Sequence, residues 1–287
     1  MALVKSIRIK KILRQLKLNP SVLKNLQSDI EWAEKAFRGD NQFACVVTVS
    51  LHDYTSGACE RLSPEEFIEN IAGLQKQVSM LVENTPAIFT SNHLPEIQAV
   101  FSSNFSGEEF LDKALQFAIA ISGILNDVND ELTFPMTSPK VGIACGQAIA
   151  GIIQTSDSAF YSFTGRPIYL SRMLAFENHR FNELILIDNE TGNRINMARP
   201  LDLYRIPGYN EINTLYSIPD SERENEETRS LFKAGLQLLY LEKNNKHAAT
   251  IFRKITSMNE NYFAAKEMLV KCEAPCGEIK LRSYRVL

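Results

Sequence analysis

Apolar and polar positions alternate along the chain in patterns that predict both strands and helices. The run over 43–51 is nearly continuous in apolar residues and rich in Val, Cys and Thr, which predicts a central strand covered on both faces. Ser63, followed by Pro64 and two glutamates, predicts the start of a helix that runs to about Glu83. The two patterns together indicate a mixed fold.

The rest of the middle section continues this mixture. Two apolar runs, over 140–145 and 147–153, meet at Gly146 and predict a tight hairpin. A polar stretch follows before the next helix. The order of elements predicts an α+β sandwich in which helices pack on one face of a mostly antiparallel sheet. The remaining predicted strands cover 86–90, 96–101, 183–187, 201–206 and 214–218, and the remaining helices cover 107–129 and 167–178.

Both ends of the chain have helical spacing of their apolar residues. Residues 1–38 predict two helices or one kinked helix. After residue 228 the pattern is purely helical and resembles a single tetratricopeptide-like hairpin with one extra helix. One such unit cannot bury its apolar face alone, so we expect it to pack on the main domain or on a partner. The predicted organisation is a basic helical segment (1–40), an α+β domain (41–219), an acidic linker (220–228) and a helical hairpin with its tail (229–287).

Charge is distributed unevenly along the chain. The net charge of −3 argues against nucleic acid as the main partner. Residues 1–24 nevertheless contain seven Lys or Arg and no acid, whereas residues 220–227 contain five acids and one Arg. The basic segment is compatible with a solvated helix face, with contact to an acidic protein surface such as the microtubule, or with contact to a membrane surface.

Cysteine usage and hydropathy predict a cytoplasmic protein. The five cysteines are scattered and odd in number, which suits a reducing compartment better than a disulfide framework. No run approaches the roughly 20 apolar residues that a membrane span needs. The first residues are interrupted by charges every two or three positions, so they lack the apolar core of a signal peptide.

Three stretches resemble the class III adenylyl and guanylyl cyclases. VGIACGQAIAGIIQTSDSAFYSFTGRPIYLSRML, over 141–174, resembles the region that holds a glycine-flanked hairpin, a dimer arm, a tyrosine before a base-recognition residue and the glycine that opens the catalytic helix. VVTVSLHDYTSG resembles the first strand with its metal-binding aspartate, and LYRIPGYNEINTLYSI resembles the closing strand pair. The resemblance covers roughly residues 43–218. It implies the ferredoxin-like class III cyclase sandwich, here with a small all-α C-terminal extension.

The resemblance also implies what an active site of this type requires. Two aspartates on neighbouring strands hold two Mg²⁺ or Mn²⁺ ions, which activate the ribose 3′-hydroxyl of ATP or GTP and neutralise the triphosphate. A lysine and an aspartate or threonine read the purine. An asparagine and an arginine from the partner subunit orient the ribose and stabilise the transition state. The site forms across a dimer interface.

The metal and base positions are only partly kept. Asp53 matches the first metal aspartate, although a single carboxylate holds Mg²⁺ poorly, and a polar strand end or helix cap is the simpler interpretation. Pro95 stands where the second aspartate belongs, and Ser91 stands where the base-reading lysine belongs. Neither side chain can do that work. Ser162 matches the second base-reading position, where a hydroxyl can still donate a hydrogen bond.

The helix positions are replaced as well. Tyr169 matches the family's asparagine and Met173 matches its arginine. Arg172 is one residue away from the arginine position and therefore on a different side of a helix that turns 100° per residue. This chain is thus short of residues on both halves of the composite site.

These replacements predict a catalytically inactive cyclase-homology protein that serves as a structural or interaction module. We expect protein partners at the cyclase dimer face and at the C-terminal helices, and no cofactor. Since some cyclase-like proteins of single-celled eukaryotes are flagellar, a cytoskeletal or ciliary assembly is one expected setting. One alternative is an active or half-active cyclase in a heterodimer, using Mg²⁺ or Mn²⁺ with ATP or GTP and Glu96 as a displaced metal ligand. Another is a nucleotide-binding regulatory protein whose cleft is lined by Ser162 and Tyr169.

Overall fold

The computed structural model describes residues 23, 30–127, 139–154, 159–206, 211–218, 225–273 and 282–283. The basic segment 1–24 lies almost entirely outside these residues, and so does most of the acidic linker. The chain divides into two compact units, Met1–Arg172 and Met173–Leu287.

From residue 30 onward, the described part of the first unit contains five strands, five helices and the start of a sixth helix. Its strands are β1 (Asp40–Ser50), β2 (Ile88–His93), β3 (Glu96–Ser102), β4 (Lys140–Gln154) and β5 (Ala159–Gly165). Its helices are α1 (Ile30–Arg38), α2 (His52–Arg61), α3 (Pro64–Asn84), α4 (Ser103–Ser106) and α5 (Phe110–Asp127), followed by the first residues of α6 (Arg166–Phe181).

Strand β1 lies at the centre of the first unit's sheet. The strand order is β2-β3-β1-β4, with β5 paired to β4, and every pairing is antiparallel. Residues 44–49 of β1 are all buried, which confirms the prediction of a strand covered on both faces.

The two faces of this sheet are covered differently. Helix α5 packs on β1 and β3, where Phe117 lies against Phe101 with ring centroids 5.8 Å apart. The opposite face carries Val46 and Val100, which are neighbours across β1 and β3. Val46 and Val100 join an apolar cluster with Phe105 and Phe163. Because successive side chains of a strand alternate between faces, each strand contributes to both layers.

The predicted hairpin at Gly146 is wrong. Gly146 lies inside the continuous strand β4 and pairs with Ala44 in the middle of β1. Both apolar runs pair with the long strand β1 in one continuous antiparallel ladder, so the chain does not turn at Gly146. The actual hairpin joins β4 to β5, and β5 lies in the stretch that the sequence indicated only as polar. A period-two signal was present, since Tyr161 and Phe163 are both buried.

The second unit contains the remaining strands and a helical extension. Its strand order is β6-β8-β7-β9, with β9 parallel to β7 and the other pairs antiparallel. The strands are β6 (Ile185–Ile187), β7 (Arg199–Arg205), β8 (Ile212–Ile218) and β9 (Arg282–Ser283). The helices that begin in this unit are α7 (Asn189–Gly192), α8 (Glu226–Tyr240), α9 (Asn245–Met258) and α10 (Phe263–Glu273). The α+β class, with a helical extension, is confirmed.

The extension packs in chain order and against a strand. Helix α8 contacts α9, α9 contacts α10, and α8 also contacts β7. Gly235 of α8 faces the ring of Phe252 of α9 so closely that an added Cβ would lie 2.7 Å from the ring. On β7, Asp202 accepts two hydrogen bonds of 2.6 Å from the ammonium group of Lys271 on α10. These helices therefore pack on β7, a strand that lies within residues 41–219.

Candidate functional site

The two positions matched to metal-binding aspartates are neighbours. Helix α2 begins at His52 directly after β1, with Leu51 as its N-cap, so Asp53 is its second residue rather than its cap. The amide of Leu51 donates to the carbonyl of Pro95 at 2.8 Å. This hydrogen bond ties the start of α2 to the turn between β2 and β3. The bond brings the backbone near these two positions together, but Pro95 offers no side-chain oxygen to a metal.

Ser91 is used inside the same turn. Its hydroxyl donates to the carbonyl of Glu96 at 2.7 Å, and the amide of Leu94 donates to the side-chain oxygen of Gln75 on α3 at 3.1 Å. These bonds close the turn and hold it on α3. Ser91 is thus a short structural side chain where the family's lysine would reach a purine.

Glu96, the first residue of β3, is bound by Arg172 of α6. The guanidinium donates from Nε to one carboxylate oxygen at 2.8 Å and from Nη2 to the other at 2.6 Å. Such a two-point pair has well-defined geometry. The arginine side chain is 54% exposed and the glutamate 18% exposed, so we expect the pair to contribute at most about 1 kcal/mol. A metal ion at Glu96 would have to displace this guanidinium.

A buried polar network lies beneath the first turns of α6. The amide of Gln98 donates to the hydroxyl of Thr48 at 3.0 Å and to the carbonyl of Ile168 at 3.2 Å. The hydroxyls of Thr48 and Ser171 are 2.8 Å apart. The hydroxyl of Thr90 donates to the side-chain oxygen of Gln98 at 2.7 Å. These bonds fix α6 against β1, β2 and β3. Sequence reasoning did not identify this network, although polar residues within otherwise apolar strands are a signal that could have pointed to it.

Tyr169 and Met173 lie four residues apart on α6, so both follow the same side of the helix. The hydroxyl of Tyr169 is buried and has no hydrogen-bond partner among the described residues. This burial raises the pKa of Tyr169 above its ordinary value, so the phenol stays neutral. Met173 is half-buried. Neither residue offers the amide or the cation that the family uses at these positions.

Ser162 is placed far from the metal positions of its own chain. Ser162 pairs with Gly151 of β4. The preceding residue, Ala150, pairs with Asp40, the first residue of β1. Asp53 follows Ser50 at the other end, and ten residues of strand span roughly 33 Å. One chain therefore does not bring Ser162 and Asp53 together.

The residues present do not fit a two-metal site. Within the described part of the chain no group of three or more His, Cys, Asp or Glu side chains converges as metal ligands. Pro95 removes one required carboxylate, and Glu96 is already engaged by a cation. None of the described helices is both long enough and apolar enough to cross a membrane.

Comparison with solved structures identifies the fold. The adenylyl cyclase CyaB from P. aeruginosa superimposes with a TM-score of 0.55 and 16% identity, over 65% of this chain and 98% of that chain. The guanylyl cyclase Cya2 gives a TM-score of 0.52 and 18% identity, over 63% and 93%. A bacterial light-regulated adenylyl cyclase gives 0.51 and 12%, over 62% and 91%.

These structures show that the chain has the fold of class III nucleotidyl cyclase domains. No protein-family model and no curated protein sequence matches it. At such low identity the likeness concerns the fold, and activity has to be judged from the residues of the site.

Proposed function

We propose that this chain is a cyclase-fold protein without cyclase activity and that it acts as a structural or interaction module. The observation that carries the proposal is the two-point contact of Arg172 with Glu96 beside Pro95. The carboxylate that follows Pro95 in the chain is thereby neutralised by a cation that belongs to the protein. In-line attack on a triphosphate needs a metal pair to neutralise the developing charge, and these residues do not supply one.

The positions for base reading and transition-state stabilisation support the same conclusion. Ser91 is committed to the backbone of its own turn. Tyr169 has a raised pKa and stays neutral, so it cannot balance negative charge on a transferring phosphoryl group. A heterodimer would have to obtain both halves of the site from its partner.

The β4–β5 ribbon is the surface that best supports a protein partner. Ile149 and Ile153 of β4 are exposed, and so is Phe160 of β5. Ile153 pairs directly with Phe160, so the two side chains share one face of the ribbon. This stretch resembles the dimer arm of the cyclases. A second cyclase-fold domain, in the simplest case another copy of this chain, is the partner we propose for this face.

A cytoskeletal or ciliary setting is the finer part of the proposal. It is supported by the seven cations and absent acids of residues 1–24, which suit an acidic filament such as the microtubule. Co-sedimentation of the full chain with microtubules, compared with a variant in which these cations are replaced by glutamine, tests this part alone. Equal sedimentation of the two proteins would remove it.

The activity test uses purified full chain with ATP or GTP and with Mg²⁺ or Mn²⁺. We expect no cyclic AMP or cyclic GMP above the level of a protein-free control, while an active cyclase in parallel gives product. Turnover that disappears on Asp53→Ala would contradict the proposal. Turnover that disappears on Glu96→Gln, but not on Glu190→Gln, which breaks another exposed arginine–glutamate pair, would favour the alternative of a displaced metal ligand.

A second experiment tests whether the metal positions are assigned correctly. Pro95→Asp should create a pair of carboxylates with Asp53 and therefore a saturable increase in Tm with Mn²⁺. Pro95→Asn introduces a side chain of the same shape as aspartate but without its charge, and it serves as the control. If Pro95→Asp responds to Mn²⁺ no more than Pro95→Asn does, or keeps its response after Asp53→Ala, the assignment is wrong.

The partner surface is tested by sedimentation velocity. We expect the native chain to self-associate with rising concentration and Ile153→Lys to shift it to the monomer. Ile68→Lys is the matched control, because Ile68 is also an exposed isoleucine but lies on α3. Loss of association in both variants, or in neither, would count against the ribbon as the contact.

A further inference from the structure

A cleft in the second unit lies between strand β7 and helix α8. It encloses about 210 Å³ and is lined by residues 198–200 at the start of β7 and by Arg229, Phe232, Lys233 and Leu236 of α8. Three of these lining residues are cations, and no acid is among them. The remaining lining residues are apolar or Pro.

The buried cation of this cleft is fixed and already neutralised. Arg199 is 4% exposed and donates from Nη2 to Glu183 at 2.7 Å. Its guanidinium carbon lies 5.0 Å from the ring centroid of Phe232 and 5.3 Å from that of Tyr262. Arg199 is therefore held on two aromatic rings as a rigid part of the cleft wall.

The other two cations are not neutralised within the described part of the chain. Arg229 and Lys233 are exposed and lie four residues apart, so they are neighbours on one side of α8. Neither forms an ion pair with a described acid, and the nearby Glu227 is bound to Lys254 at 3.1 Å. Two like charges at this spacing destabilise a helix. An anion between them would remove that cost.

Charge and size together define the ligand class. Two uncompensated positive charges that are neighbours on one helix face match a dianion. A phosphomonoester carries a charge of about −1.5 to −2 at pH 7 and three acceptor oxygens. The cleft is smaller than the roughly 300–1,000 Å³ of pockets that hold drug-sized ligands, so it suits one phosphate group and a short attachment rather than a nucleotide.

We infer that this cleft of α8 and β7 binds a phosphomonoester group through Arg229 and Lys233, with Arg199 and Phe232 forming its wall. The group can be carried by a free small molecule or by a phosphorylated side chain of a protein segment. The inference concerns a site on the helical extension and does not depend on whether the cyclase positions are active.

The test measures binding to the full chain by calorimetry and by the shift in Tm. The probes are inorganic phosphate, O-phosphoserine and a phosphoserine peptide, each compared with sodium chloride at matched ionic strength. We expect saturable binding of at least one phosphate probe. Arg229→Gln and Lys233→Gln should each weaken it about tenfold, which is about 1.4 kcal/mol. Circular dichroism establishes that each variant is folded.

Lys246→Gln is the control for charge, because Lys246 is an exposed helix lysine outside the cleft. Binding should also weaken as the pH falls below about 6, where the phosphate loses its second charge. Equal binding of the three probes would assign the site to free phosphomonoesters, and tighter binding of the peptide would assign it to a phosphorylated protein. A response to phosphate no larger than to chloride, or an equal loss in Lys246→Gln, would overturn the inference.

Discussion

Arg172 and Glu96 are 76 residues apart in the sequence, and their side chains meet in a two-point ion pair. The pair joins the first turns of α6 to the beginning of β3, the strand that follows the cis Leu94–Pro95 turn. The guanidinium thereby places a positive charge directly beside Pro95.

Replacing this cation should change stability little and should not create activity. Because Arg172 is more than half exposed, we expect Arg172→Gln to lower the free energy of unfolding by about 1 kcal/mol or less. No cyclic nucleotide should form, since Pro95 still lacks a ligand oxygen. Urea unfolding and the activity assay measure the two effects. Arg194→Gln, which breaks the exposed pair with Glu190, is the control, and product formed by Arg172→Gln alone would contradict the prediction.

The buried network beneath α6 should be more important for stability. Thr48→Val keeps the shape of the side chain but removes the hydroxyl that contacts Ser171 and Gln98. Both partners keep a weaker bond to Ile168, so we expect a loss of about 1–2 kcal/mol. Thr250→Val, on an exposed face of α9, should change stability by less than about 0.5 kcal/mol. Equal effects of the two substitutions in urea unfolding would show that the network is not stabilising.

Two glycines inside helices should respond to alanine in opposite directions. A Cβ at Gly235 would lie 2.7 and 2.8 Å from ring atoms of Phe252, and such overpacking costs about 1–3 kcal/mol. A Cβ at Gly73 meets nothing within 4 Å, so Gly73→Ala should stabilise α3 by about 0.5–1 kcal/mol. Hydrogen exchange of the α8 and α3 amides measures each effect locally. Slower exchange in α8 after Gly235→Ala would contradict the close packing.

The ion pair between Asp202 and Lys271 should show strong coupling. The Asp202 side chain is fully buried and that of Lys271 is 12% exposed, and the hydroxyl of Tyr240 also donates to this carboxylate. Lys271→Met leaves a buried carboxylate without its cation, which we expect to cost about 3–5 kcal/mol. Adding Asp202→Asn removes that charge and keeps an acceptor for Tyr240. The double variant should therefore be more stable than Lys271→Met in thermal unfolding, and additive losses would contradict the coupling.

Burial should also decide which thiols react. Burial raises the pKa of Cys272 to about 11, so its thiolate is scarce at pH 8, whereas Cys59 is exposed. We expect iodoacetamide at pH 8 to label Cys59 rapidly and Cys272 slowly in the folded chain, as followed by mass spectrometry. Urea should bring both to similar rates. Rapid labelling of native Cys272 would show that α10 is not packed as described.

Local patterns predicted those parts of the fold that depend on neighbouring residues. The serine and glutamate of the predicted helix start form a reciprocal capping box, with the amide of Glu66 donating to Ser63 and the amide of Ser63 donating to Glu66. Central strand β1 was predicted because its run of apolar residues is nearly continuous. The prediction of a hairpin at Gly146 was wrong because a glycine does not cause a turn where its strand pairs with a long neighbouring strand, as β4 does with β1.

The candidate site, too, was predicted from the sequence only in part. The sequence by itself determined the side-chain chemistry at Pro95, Ser91, Tyr169 and Met173. The prediction that these residues replace catalytic residue types rests on that chemistry and on the resemblance to the cyclases. Only the tertiary structure decided what those changes mean in space: Arg172 neutralises Glu96, and Ser91 closes its own turn. Such contacts join residues that are distant in the chain or depend on a specific turn. They follow from strand register and helix packing, which no local pattern of residues records.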